Sequence, residues 1–469
     1  MKEFINKINL FNCKTLPRKI FTFYFIALLL GSCLLLLPIS RNQGTTPLSF
    51  LDAIFTASSA FSTTGLSLYN TGTYFSLFGQ TIILILLQIG GLGLMTIKVL
   101  LFLFLGKKIG IKERISATNE RGNGAVGGSV DLLKSAIITI FSIELIAALL
   151  FSLRYYFTYL NNPYFDGNIF KILYAGLFSA ASSVNNAGVD IFGGATSISM
   201  FANDYFIQIL TMICFILGGL GFPVLCDIRN FFVCKKEKKK FKLSYFSKFV
   251  LRIYFSIALI AIISVFAVEL SSGTILYDTS KPLMQRIFYV IFNTFSTRNT
   301  GFATIDMNEF ATGTQIIFSI LMWIGAAPAS TGGGVRVTTF FICILALLSY
   351  SKNKKEVSFL DRKIPDNTVT KSLLVVFVSQ ILVLVAAIIL VTSSSEITFM
   401  QAFFESCSAF GTSGLSLGIT SSLNAVSKIT ILLLMFIGQI GVSSTILMWS
   451  NKKTYNSTQT LPEQDILIN

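Results

Sequence analysis

Ala60-Phe61-Ser62-Thr63-Thr64-Gly65-Leu66-Ser67 ends a short apolar stretch in a run of small polar residues closed by glycine, and the chain makes that arrangement three more times. The echoes are Asn185-Asn186-Ala187-Gly188, Arg298-Asn299-Thr300-Gly301 and Gly411-Thr412-Ser413-Gly414. Their glycines lie 123, 113 and 113 residues apart, so the 469 residues read as four diverged copies of one unit. The expected divisions are 1–106, 107–232, 233–350 and 351–469. The place where the four segments meet is the candidate working site.

Composition fixes the solvent. Hydrophobic residues make up 53 % and charged residues 13 %, a balance far beyond what a soluble core requires. Runs such as Phe21 to Pro38, Thr81 to Leu105 and Leu373 to Val391 are long enough, at about 1.5 Å per residue, to cross a hydrocarbon layer of about 30 Å. They lack the alternation of a membrane β-barrel, so the expected fold is an all-α integral membrane protein.

A net charge of +15 would suit a nucleic-acid partner, but its placement points to topology and to no nucleic acid. Basic residues gather at Lys2 to Lys19, Lys107 to Arg121, Arg229 to Arg252, Lys352 to Lys371 and Lys452 with Lys453, while the intervening connections carry few charges. Lysine and arginine accumulate in cytoplasmic loops, which predicts a multi-pass protein of the cell membrane with both termini on the cytoplasmic side. The dense cluster Lys235 to Lys240 reads as a topology anchor or as a docking patch for lipid or a partner.

Each unit then parses as an apolar helix, a stretch too short to span, the Gly segment, and a returning apolar run. The short stretches are Leu51 to Phe61, Phe170 to Ser182, Gln285 to Phe295 and Met400 to Phe410; the returning ones are Thr81 to Leu105, Phe206 to Cys226, Gln315 to Leu348 and Lys428 to Trp449. The expectation is eight spanning helices and four re-entrant pore helices around one central cation pathway. A half-helix entering from outside aims its C-terminal end, with about half a negative charge, at the membrane centre. Irregular backbone is tolerated at that depth where it lines a watery cavity, and its carbonyls can there replace an ion's hydration shell. Small-residue patches for close helix packing are the alternative for any one segment, and four at matched positions speak against it.

The third returning run is interrupted by Ala326-Ala327-Pro328-Ala329-Ser330-Thr331-Gly332-Gly333-Gly334, and neither Pro nor three successive Gly suits a helix interior. A break in mid-membrane is expected there, as a flexible loop beneath the Gly segments or as a mere kink. Glu405 falls inside the fourth short helix and Glu144 inside a long helix with no evident partner. The Gly90-Gly91-Leu92-Gly93 and Gly218-Gly219-Leu220-Gly221 echoes suit close helix packing.

Enzyme classes are poorly served. The chain has no histidine, no phosphate-binding Gly-Lys-Ser/Thr loop and no close metal spacing among its seven cysteines.

The four Gly segments, with their flanks Thr297 to Phe302 and Phe404 to Ser416, resemble the filter signatures of the potassium transporter superfamily that contains KtrB, TrkH and the plant HKT proteins. The likeness spans residues 20 to 450 and is nearest the KtrB-type membrane subunit. It implies a selectivity filter at Ser62 to Gly65, Asn185 to Gly188, Arg298 to Gly301 and Gly411 to Gly414. In that superfamily glycine at all four last positions goes with potassium, and serine at the first marks sodium-carrying plant relatives. The resemblance makes the loop Ala326 to Gly334 an intramembrane gate, with Arg336 either positioning it or marking the cytoplasmic half of its helix. Glu405 matches an acidic position that satisfies backbone donors or attracts cations. A homodimer on a cytosolic ring of nucleotide-binding subunits of the KtrA/TrkA kind is also implied, so nucleotide belongs to that ring and this chain needs no cofactor beyond its transported K+. Sodium- or proton-coupled symport, and a less selective monovalent cation channel, are the alternatives.

One position departs from the superfamily pattern. Its last helix carries Gly-Arg-x-Gly, and this chain has Gly438-Gln439-Ile440-Gly441. A fixed positive charge would repel cations and hold loop carbonyls, so its loss predicts a less tightly closed path. Gln439→Arg should therefore lower cation flux in uptake measurements; unchanged or raised flux would sink this reading.

Overall fold

A computed structural model describes residues 16–93, 129–193, 197–238, 240–354, 356–360 and 362–449. Within them the chain builds a long helix, a short helix and a returning stretch, four times in succession. The long helices are α1 (Leu16–Leu36), α4 (Ser129–Tyr159), α8 (Tyr245–Ser272) and α12 (Asp366–Ser393). The short ones are α2 (Phe50–Phe61), α5 (Ile169–Val184), α9 (Leu283–Ser296) and α13 (Phe399–Gly411). The returning stretches begin with α3 (Leu77–Leu92), α6 (Tyr205–Gly219), α10 (Thr312–Trp323) and α14 (Ala425–Ile440). Strand is limited to a two-residue antiparallel pair, Ser358–Phe359 with Arg362–Lys363, a small departure from an all-α expectation.

Local chemistry starts the short helices. Ser49, Asn168 and Thr398 cap α2, α5 and α13 with side-chain oxygens that accept from first-turn N–H groups, and Thr398 forms a reciprocal capping box with Gln401. Pro282 precedes α9 instead.

The returning stretches differ from the expected continuous spans. The sequence predicts one helix over Phe206 to Cys226 and another over Lys428 to Trp449. The structure breaks the first at Gly221, between α6 and α7 (Phe222–Lys236), with a bend of 109°. It breaks the second at Gly441, before α15 (Val442–Trp449). The cause is backbone conformation: Gly221 has φ 87° and ψ 152°, Gly441 φ 92° and ψ 141°, a region closed to residues with a β-carbon and incompatible with helical hydrogen bonding. Gly93, which ends α3, has nearly the same angles, φ 77° and ψ 156°. The rest of Thr81 to Leu105 lies outside the described residues. The third stretch breaks as expected, over Ile324 to Arg336, before α11 (Val337–Ser351).

Among the described residues, three helices are each long and apolar enough to cross a membrane, or four if the bent α6–α7 pair counts as one span; α3, α10, α11 and α14 are shorter apolar helices. The second and fourth returning stretches are thus broken helices where continuous ones were expected. Large apolar side chains such as Leu30, Leu145, Phe157, Ile260 and Phe377 stand exposed along the long helices, where lipid is their solvent.

The first glycines of the echoes do pack backbone on backbone. A β-carbon on Gly90, Gly218 or Gly438 would collide with the carbonyl oxygen of Phe61, Val184 or Phe410, the ends of the short helices α2, α5 and α13. The basic stretches Arg229 to Arg252 and Lys352 to Lys371 meet at one end of the molecule, where Tyr245 donates to the Phe359 carbonyl at 2.6 Å and Arg362 lies 4.9 Å over the Tyr245 ring. Both chain termini, and Lys107 to Arg121, lie outside the described residues or nearly so.

Candidate ion pathway

The residue two before each Gly takes a left-handed conformation: Thr63 (φ 51°), Asn186 (57°), Asn299 (68°) and Thr412 (52°). The chain so turns away from the end of each short helix. Gly65, Gly188, Gly301 and Gly414 follow at φ 86°, 64°, 77° and 87°.

The four segments form a closed ring. A β-carbon on Gly65 would strike the Ala187 carbonyl oxygen; on Gly188, that of Thr300; on Gly301, that of Ser413; on Gly414, that of Thr64. Every glycine therefore faces the carbonyl that precedes the next glycine, in chain order, until the fourth returns to the first. Each segment follows the C-terminal end of a short helix, so the negative ends of four helix dipoles converge on one point. Such a place suits a small cation.

On one side the ring opens into a cavity of about 360 Å³, lined by the four glycines together with Asp190, Asp306, Ser197 and Thr420. Asp190 is partly buried, and its carboxylate accepts the Phe192 N–H at 2.7 Å. Burial in the cavity wall pushes its carboxyl up to about 7, against the lowering effect of the Phe192 and Gly193 N–H groups.

On the other side lies the interrupted stretch Ala326 to Gly334. Its backbone is sewn to the neighbouring breaks: Ala327 donates to the Gly219 carbonyl (3.1 Å), Ala329 accepts from Phe222 (2.9 Å), and Gly334 donates to the Gly438 carbonyl (3.1 Å). Three inner residues of the ring segments also hold it. Thr63 Oγ1 donates to the Thr331 carbonyl (3.2 Å), Asn299 Nδ2 to the Gly333 carbonyl (3.2 Å), and Thr412 Oγ1 accepts the Gly333 N–H (2.7 Å). Within the stretch Ser330 Oγ donates to the Ala327 carbonyl (2.6 Å), and Arg336 donates to the Gly332 carbonyl. Ala326, Thr331 and their glycines are buried; Pro328 sits where the Gly221 backbone comes closest. Gln439 is half-buried, and its side-chain oxygen Oε1 has no hydrogen-bond partner; the contact here is made by the carbonyl of Gly438 beside it.

The ring segments are backed by four different chemistries. Behind the first are hydroxyls, Ser62 with Thr64 (2.6 Å) and Tyr24 with Ser58 (3.0 Å). Behind the second stands Glu144, which corrects the reading that it lacks a partner: Gln88 donates to both its oxygens (3.0 and 2.8 Å) and Asn185 to one (2.9 Å). Sequence pattern could not pair residues 88, 144 and 185, although an uncharged polar Gln88 inside an apolar run was a signal. In the third segment Arg298 is itself buried, its guanidinium 4.6 Å over the Tyr254 ring and one nitrogen 3.3 Å from the Gly325 carbonyl. In the fourth, Glu405 accepts from the Thr420 hydroxyl, so a side chain rather than a backbone N–H meets it. The described residues contain no group of His, Cys, Asp and Glu able to hold a metal ion.

Four backbone segments closed into a ring inside an apolar helical protein are compatible with a membrane cation transporter. Comparison with known proteins agrees: residues 29–458 match the TrkH family of cation transport proteins, and the chain belongs to that family. It is 35 % identical to Ktr system potassium uptake protein D of Bacillus subtilis over 446 residues, 95 % of each chain. It is also 35 % identical to Ktr system potassium uptake protein B of the same organism over 454 residues, 96 % of each chain. Among solved structures it is similar to the potassium transporter TrkH of Vibrio parahaemolyticus, with a TM-score of 0.70 at 16 % identity, covering 91 % of this chain and 83 % of that one.

The Asp190 carboxyl takes up a proton as pH falls through about 7, which removes a negative charge from the cavity wall. Acidifying the medium from about pH 8 to 6 should raise the KM for rubidium uptake severalfold. Asp190→Asn should show the high KM at both values, and a pH response unaltered in that variant would remove Asp190 from the account.

Proposed function

We propose that this protein carries potassium into the cell through the ring of four Gly segments, which acts as a selectivity filter. One observation carries the reading: each of the four glycines abuts the carbonyl preceding the next, so the ring closes. Carbonyl oxygens so arranged can stand in for a hydration shell, and the helix ends behind them favour a cation. The potassium assignment draws on the Bacillus subtilis relatives, named as potassium uptake proteins, and on glycine at all four positions. In this reading α2, α5, α9 and α13 are re-entrant pore helices, and residues 1–106, 107–232, 233–350 and 351–469 are four repeats around one path.

The stretch Ala326 to Gly334 is the gate in this proposal. It lies across the inner side of the ring, bonded to Thr63, Asn299 and Thr412, and Arg336 fixes its Gly332 carbonyl. A potassium ion could not pass without displacing it. The basic ends Arg229 to Arg252 and Lys352 to Lys371 lie on the cytoplasmic side with both termini. A homodimer docked there on a cytosolic nucleotide-binding ring fits the naming of the relatives as parts of a Ktr system.

Uptake of potassium or rubidium into a potassium-uptake-deficient cell, with sodium and proton gradients varied separately, tests the transport. Uptake that follows membrane potential and is indifferent to both gradients is expected; dependence on either gradient establishes coupling, and no uptake overturns the reading. Purified from mild detergent, the protein should run as a dimer and bring down a soluble nucleotide-binding subunit. A monomer fully active alone would overturn the assembly.

A further inference from the structure

We infer that Glu144 is a positioning and specificity residue of the pathway: through Asn185 it orients the second ring segment, and its carboxylate attracts a cation beside Gly188. This rests on the ring being the ion path.

Glu144 is the midpoint of the 31-residue helix α4 and is buried. A carboxylate at that depth is costly unless donors or opposite charge meet it. Donors are present. Gln88 Nε2 donates to the carboxylate at 3.0 and 2.8 Å from its two oxygens, and Asn185 Nδ2 adds a third contact at 2.9 Å. The opposite charge is missing, for among the described residues no lysine or arginine pairs with Glu144. Two amides, through three contacts, orient the group without neutralising it. In a low-dielectric interior the carboxylate, when ionised, acts on whatever mobile cation is nearest.

Asn185 connects the group to the ring. It ends α5 and lies three residues before Gly188. Its amide nitrogen is turned to Glu144, to Gln88 Oε1 (2.7 Å) and to the Ala181 carbonyl (2.9 Å), while its own oxygen has no partner and presses where a β-carbon on Gly91 would sit. An amide leaves its acceptor unmet in this way when its N–H groups gain more, and N–H donation to a carboxylate is the stronger kind of hydrogen bond. The carboxylate therefore fixes which way Asn185 faces, and with it the backbone leading into Asn186, Ala187 and Gly188. The partners come from two units, Gln88 from the first and Asn185 and Glu144 from the second, so the contact also sets the spacing of adjacent quarters of the ring.

Glu144→Gln keeps size, removes the charge and replaces one acceptor oxygen with a donor. Measured on the full transporter in potassium-uptake-deficient cells, with protein amount followed by immunoblot, it should raise the KM for rubidium about fivefold or more and strengthen inhibition by sodium, with Vmax within about twofold. Glu144→Asp should restore part of the lost affinity. Gln88→Met, which loosens the clamp and leaves the carboxylate, should shift KM the same way and serves if Glu144→Gln does not insert. Wild-type KM and sodium inhibition in either inserted variant would overturn the inference, as would a loss confined to protein amount. Failure of the unaltered chain to take up rubidium would instead overturn the potassium reading itself.

Discussion

Close approach of four glycines to four neighbouring carbonyls is the constraint on which the rest of the structure depends. No β-carbon fits at Gly65, Gly188, Gly301 or Gly414, and each φ lies where residues with side chains are strained. To bring four backbone turns that near, four short helices must end where they do, and their partners must leave room. Gly90, Gly218 and Gly438 supply that room beside the ends of α2, α5 and α13. The breaks at Gly221 and Gly441 belong to the same demand, since the returning chain changes direction just beyond the ring.

The stretch beneath the ring is held in the same manner as the ring. It is not a loose flap, because its backbone is bonded to both neighbouring breaks and to three inner side chains of the ring segments. Each such bond contributes on the order of 0.5–1.5 kcal/mol net, so the whole set resists displacement while no single bond does. The ring and the stretch that covers it share atoms at Thr63, Asn299 and Thr412, which makes the conformation of one dependent on the other.

Much of this was legible from residue order. Small-residue runs ending in glycine marked the ring segments because the backbone there needs a conformation that few residues allow, and such a need leaves a local trace. Pro328 and the three following glycines marked the third break for the same reason. The breaks at Gly221 and Gly441 were less visible, since a single glycine in an apolar run reads equally as a packing site, and Gly218 and Gly438 show that the packing reading is also right nearby. Glu144 was opaque. Its meaning depends on Gln88 and Asn185, brought to it from 56 and 41 residues away by the packing of α3 and α5 on α4, and no local period records that.

The unlike groups behind the ring, hydroxyls, Glu144, buried Arg298 and Glu405, have a consequence for how such a protein can change. A pore made from four identical subunits receives every substitution four times over, and its field stays symmetric. Here one gene encodes all four quadrants, so a single codon alters one quadrant and leaves three intact. The electric field across the opening is lopsided, with acid behind the second quadrant and a guanidinium behind the third. If the ring is the filter proposed above, selection can adjust ion preference in quarter steps, trying a change on one side while the other three are unaltered.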